Sequence, residues 1–204
     1  MFDKKLDGVK VAVLAASGFE YSELTKPRMA LDEAGAETFV ISTKAGRITG
    51  WADSDWGDSV AVDMTLDEAS AFDFDALFIP GGVMSPDKLR MDKNVIKFVK
   101  TFVDAGKPIA SICHGPQVLT ETGMLDGRTM TSWPSLKTDL ENAGANWVDQ
   151  EVVSDNGIVT SRMPEDIPAF NKKMIEEFAE GIHDNSTMKM KSKEKQPDTD
   201  KFFR

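Results

Sequence analysis

A single cysteine, Cys113, among 204 residues excludes an internal disulfide, and with it the disulfide framework of a small secreted domain. The only histidines are His114 and His183. One cysteine and two distant histidines do not supply the usual zinc ligand set, so no metal site is expected. No stretch approaches the roughly 20 apolar residues of a membrane span. The charged start, Met1-Phe2-Asp3-Lys4-Lys5-Leu6-Asp7, lacks the apolar run of a secretory signal, and a cytoplasmic location is the expectation. Basic charge is also short: 24 Lys and Arg against 34 Asp and Glu give a formal net charge of −10. That balance argues against nucleic acid or an anionic membrane as a main partner. A phosphate loop and a dinucleotide fingerprint are missing, since Gly81-Gly82-Val83-Met84 is neither, and no organic cofactor is expected.

What is present reads as one α/β domain. The hydrophobic fraction of 41% and charged fraction of 28% suit a soluble globular chain. Short apolar runs rich in β-branched residues, at residues 9–15, 38–42, 76–80 and 108–112, read as buried strands. Helices are predicted over residues 22–34, 93–105, 136–143 and 166–179, with a shorter one after Pro116. Pro27 is compatible with the first of these only near its opening turn. Residues 43–65 read as an excursion with short strands, in which Trp51 and Trp56 form surface packing or an interface patch. Asp155-Asn156-Gly157 marks a hairpin. Alternating strands and helices predict a three-layer sandwich around a mainly parallel sheet. From residue 182 to 204 the chain turns polar and loses periodicity, and it is read as a flexible tail after a domain spanning 1–181. The alternative is a tail that docks on a neighbouring subunit through Phe202 and Phe203.

In a parallel sheet, ligands bind outside the carboxyl ends of the strands. Three predicted strands end in unusual residues: Gly18-Phe19-Glu20, Pro80-Gly81-Gly82 and Cys113-His114-Gly115-Pro116. Gly115 and Pro116 suit a tight turn into a helix, the strand–turn–helix of a nucleophile elbow. A thiol at a helix N-terminus is biased toward thiolate. Backbone amides near Gly82 and His114 are placed to receive a developing oxyanion. A carboxyl group, two glycine amides and a thiol thus share one edge.

Phe78-Ile79-Pro80-Gly81-Gly82, Ala110-Ser111-Ile112-Cys113-His114-Gly115-Pro116 and Gly18-Phe19-Glu20 together resemble the DJ-1/ThiJ/PfpI superfamily, and within it the PfpI-type branch. Thr131-Ser132-Trp133-Pro134-Ser135-Leu136 and Val159-Thr160-Ser161-Arg162 extend the resemblance, which covers about Val9 to Gly181. It implies a flavodoxin-like sandwich with Cys113 as nucleophile, Glu20 as the buried acid that hydrogen-bonds the thiol, and His114 as a proton carrier. It also implies a third triad member after the Gly-Gly, best matched by Asp87, reaching a neighbouring subunit's site in a homo-oligomer, either a dimer or a hexamer built from dimers. Tyr21 departs from the polar residue usual after Glu20, which bears on pocket shape. Because the elbow can point adjacent side chains apart, Glu20 is preferred over His114 as the direct partner of the sulfur.

The activity implied is hydrolysis of early glycation adducts of Cys, Lys and Arg with methylglyoxal or glyoxal, or glyoxalase-type conversion of the free aldehyde. One alternative is an intracellular cysteine peptidase or amidase. Another is a non-catalytic redox-sensing or chaperone-like stress protein, since an exposed thiolate oxidises readily. A glutamine amidotransferase is disfavoured because no later histidine and glutamate stand at suitable spacing, His183 lying alone in the tail.

Overall fold

The computed structural model describes residues 5–183. The first half runs β1 (Lys10–Leu14), β2 (Phe19–Glu20), α1 (Tyr21–Glu33), β3 (Glu37–Ser42), β4 (Arg47–Ala52), β5 (Asp55–Ala61), β6 (Met64–Thr65) and β7 (Ala76–Ile79). Then come α2 (Met84–Arg90), α3 (Lys93–Ala105), β8 (Ile109–Ile112), α4 (Gln117–Thr120) and β9 (Thr129–Met130). The last elements are α5 (Lys137–Asn142), β10 (Asn146–Trp147), β11 (Val152–Asp155), β12 (Ile158–Ser161) and α6 (Ile167–Glu180).

Seven strands form the central sheet in the order β11-β12-β8-β7-β1-β3-β6. Every pairing is parallel except β11 with β12, the hairpin over Asn156-Gly157. The register shows why the central strands are continuous apolar runs. Ala12, Leu77, Ile109 and Ile158 stand side by side and face one core, packed with the Val95, Phe98, Val99 and Phe102 stripe of α3. Their neighbours Val13, Phe78, Ala110 and Val159 face the other core, against Leu24 and Leu31 of α1 and Phe170, Met174 and Phe178 of α6. A strand with helices on both faces has no polar side, so alternation disappears from its sequence. This is the predicted three-layer α/β sandwich.

Helix α3 has the expected bounds because its punctuation is unambiguous. The Asp92 side chain accepts from Asn94 N–H at 2.8 Å, and Gly106 closes the helix at φ 69°. Elsewhere the structure departs from the sequence reading. Pro27 sits well inside α1, not in its first turn. Its ring removes only the donor that would have bonded the Glu23 carbonyl, and its burial on the core face offsets that loss. A helix, α2, follows the Gly-Gly turn where only a loop was expected. The excursion becomes a β4–β5 hairpin in a second sheet with β2, bulged between Thr49 and Trp51.

His183 is packed against the domain, contrary to the expectation of a residue alone in a polar tail. Its N–H donates to Gly106 O at 2.8 Å, and its Nε2 lies 3.0 Å from Glu177 Oε1. The rest of the tail, with Phe202 and Phe203, lies outside the described residues. Among those residues no helix is long and apolar enough to cross a membrane.

Candidate active site

The site begins where β8 stops. Cys113 has φ 60°, a left-handed backbone that a side chain adopts at a cost of about 1–3 kcal/mol. Three hydrogen bonds hold it there. Cys113 N–H donates to Ser161 O at 3.0 Å, Trp133 N–H donates to Cys113 O at 2.9 Å, and Gly115 N–H closes the turn on Ile112 O at 2.9 Å. A Cβ on Gly115 would stand 2.6 Å from Ile79 O, so the elbow requires glycine at that position. The neighbouring Gly81-Gly82 turn is built the same way. A Cβ on Gly81 would stand 2.6 Å from the Cys113 Cβ and would also strike the Glu23 carboxyl group. Gly82, at φ 86°, presses against Gly18 and Glu20.

The acid that meets the sulfur is Glu23, not Glu20. Glu20 is the N-cap of α1, half-buried, with Ser22 Oγ donating to its Oε1 at 3.3 Å. Glu23, one turn further on, is wholly buried and lies against Cys113 and the Gly82 N–H. The reason is helical geometry. Glu23 falls on the inward stripe with Leu24, Pro27 and Leu31, whereas the strand-like backbone of Glu20 leaves its side chain at the rim. The sequence signal was available, as a glutamate embedded in the apolar stripe of a helix.

Electrostatics separates the two acids further. Burial pushes Glu23 up to about 8, against weaker downward pulls from the thiol and the Gly82 N–H. Neither Glu23 oxygen has a partner at good hydrogen-bond geometry, so these two are looser polar contacts and a neutral carboxyl is the form the site favours. Burial also raises the Cys113 thiol, and a charged Glu23 adds to that, while the N–H groups of Gly82 and His114 favour the thiolate. The helix-dipole expectation is therefore not the main influence. Cys113 precedes α4 by several residues, α4 is a single turn, and the thiol is 7% exposed. A protonated Glu23 removes the repulsion and becomes a donor to the sulfur.

His114 does not point away. Its Nδ1 is 3.3 Å from Cys113 Sγ, and its Nε2 is 3.5 Å from Ser135 Oγ. The ring stacks on Trp133, with centroids 5.9 Å apart at 23°. Burial lowers the pKa of His114, which favours the neutral ring that can accept a proton.

Above the sulfur opens a cavity of about 470 Å³. Its walls include Trp51, Val83, Met84 and Trp133, and its floor is Glu23, Cys113 and His114. Gly82 and Glu20 line it as well. Asp87 does not. It lies in the first turn of α2, exposed, and is not among the residues lining its own chain's cavity. Trp51, read from sequence as surface packing or an interface patch, is a cavity wall braced edge-on by Trp56, with ring centroids 5.6 Å apart. Its neighbour Trp56 is exposed.

The DJ-1/PfpI family model matches residues 9–177. YraA of Bacillus subtilis, by name a candidate cysteine protease, is 46% identical over 167 residues, covering 81% of this chain and 96% of its own. A deglycase of Pyrococcus horikoshii is 42% identical over 167 residues, covering 82% and 98%. Among solved structures, a two-domain Anabaena variabilis protein with DJ-1/ThiJ/PfpI-like and ferritin-like domains aligns with a TM-score of 0.78 at 37% identity. That alignment covers 82% of this chain and 47% of the other, so this chain spans about half of that protein.

Proposed function

Because the chain belongs to the DJ-1/PfpI family, we propose that it is a cysteine-dependent hydrolase that removes methylglyoxal or glyoxal groups, as the corresponding hydroxy acids, from early adducts with amines, guanidines and thiols. The observation that carries this reading is the convergence of Glu23, Cys113 and His114 at the floor of one small cavity. The relative named a deglycase agrees with it. His114 Nδ1 takes the thiol proton, and the thiolate attacks the carbonyl carbon of the adduct. The N–H groups of Gly82 and His114 flank the sulfur, so an oxyanion forming on the attacked carbon lies within their reach. Neutral Glu23 donates to the sulfur whenever it carries charge. For methylglyoxal, one water is consumed overall: the hydrogen on the aldehyde carbon moves to the adjacent carbon, the C–S bond made to Cys113 breaks again, and lactate leaves with the free amine or thiol. The aldehyde carbon becomes the carboxylate and the adjacent ketone becomes the alcohol, so no external oxidant is needed.

In this reading Asp87 serves the site of a neighbouring copy in a homo-oligomer, being exposed and absent from the lining of its own cavity. A peptidase reading has the name of YraA behind it, but a cavity of about 470 Å³ walled by Trp51 and Trp133 suits a small adduct better than an extended peptide. The test is lactate release from methylglyoxal-treated amines and thiols, run beside fluorogenic peptides. Cys113→Ala with an intact fold is expected to abolish lactate release, and undiminished release overturns the assignment. Peroxide oxidation of Cys113 without turnover of any substrate would favour the redox-sensing alternative.

A further inference from the structure

The cavity mouth has a charge pattern that the chemistry above does not use. Its charged lining residues are Glu20 and Glu23, and neither Lys nor Arg lines it. With Glu23 held neutral by burial, Glu20 is the carboxylate at the entrance. Burial and nearby Asp53 disfavour its charge, while its hydrogen-bond donors, the neutral Ser22 hydroxyl and backbone N–H, favour it. Lys88 and Arg162, which flank the lining residues Met84 and Pro164 in sequence, are engaged with other groups. Lys88 donates to Ser17 O at 2.9 Å, and Arg162 is clamped between Asp149 and Asp166. Trp51, paired with Glu20 across β2 and β4, and Trp133, one face of which is stacked by His114, line the same cavity, and an indole face attracts a cation. Val83 and Met84 supply apolar wall for an aliphatic stem.

We propose that Glu20, Trp51 and Trp133 form a cation-selective subsite that receives the guanidinium or ammonium group of arginine-type or lysine-type substrates. The proposal rests on reading this cavity as the substrate site. Glu20 acts here as a specificity-determining residue and Cys113 as the reacting one. Phosphate-bearing and other anionic adducts meet an uncompensated carboxylate at the entrance and are disfavoured.

The test separates recognition from turnover by using Cys113→Ala and calorimetry. The probes are N-acetylarginine amide, its neutral isostere N-acetylcitrulline amide, and guanosine monophosphate. The arginine probe is expected to bind at least about tenfold tighter than the citrulline probe, equivalent to about 1.4 kcal/mol. The nucleotide is expected not to bind. Adding Glu20→Gln should erase the difference while leaving citrulline affinity unchanged, and Trp51→Leu should reduce it, with circular dichroism confirming the fold of each variant. Equal affinities, no binding of either amide, or a preference that survives Glu20→Gln overturns the proposal. None of these outcomes depends on lactate release. Conversely, a wild-type enzyme that releases lactate from cysteine, arginine and nucleotide adducts at equal kcat/KM keeps the hydrolase assignment and overturns this subsite.

Discussion

Glu23 and Cys113 face each other out of water, the acid 0% exposed and the thiol residue 7%. Two groups so placed cannot both ionise cheaply, and burial favours the protonated form of each. The carboxyl of Glu23 titrates near 4.5 when solvated and at about 8 in the fold. Between those values the unfolded chain has lost a proton that the native state keeps. Stability therefore falls as pH rises across that window, by up to about 1.4 kcal/mol per pH unit, and levels off above it. Glu23→Gln carries no titration and should flatten the slope. Guanidinium unfolding at pH 5, 6.5 and 8 reads this directly, and equal slopes for wild type and variant would refute it.

The same pair, with His114, sets the dependence of rate on pH. A neutral His114 is needed to accept the thiol proton, and its pKa is lowered from 6.5 by burial. Glu23 must remain protonated to donate to the sulfur, which ends near 8. Activity is expected to climb through the acid range below 6.5 and to decline above about 8. In Glu23→Gln the upper limb should vanish while the lower one stays, at a reduced rate. Steady-state lactate release across pH 5–9.5 checks both limbs, and a variant that keeps the alkaline decline rules out Glu23 as its source.

The central strands and α3 were legible because each is determined locally. The runs at 76–79 and 109–112 are apolar on both faces, and α3 carries its own start and stop in Asp92 and Gly106. The elbow was legible for the same reason, since Gly115 and Pro116 announce it. The partner of the sulfur was not, because it depends on which way α1 rolls against the sheet. Glu20 is nearest the strand end in sequence, but the helical repeat turns Glu23 inward. Helix α2 was hidden because Pro86 and the preceding Gly-Gly read as loop, although Pro is well tolerated in a first turn. His183 was missed because its anchor is tertiary, made by Gly106 at the end of α3 and Glu177 on α6.

The left-handed backbone of Cys113 makes an inverted stability order testable. At an ordinary buried strand end, alanine is preferred to glycine by roughly 0.5–1 kcal/mol. At φ 60° alanine retains the strain of a Cβ and glycine does not. Cys113→Gly is therefore expected to match or exceed Cys113→Ala in melting temperature, both being inactive. A glycine variant clearly less stable than the alanine variant would show that the turn is held without strain.

Asp87 offers a test of shared sites that needs no structure of the assembly. It stands exposed on α2, outside its own cavity, so any role in proton transfer must be played in a second copy. Asp87→Asn alone should lower activity by about 10²-fold or more, the scale typical of losing a general acid or base. Co-expression with Cys113→Ala then generates mixed pairs in which one site combines an intact Cys113 with an intact Asp87 from the other chain. For a twofold pair assembled at random, about one quarter of wild-type activity should return. Full activity in Asp87→Asn, or no recovery in the mixture, would remove Asp87 from the site.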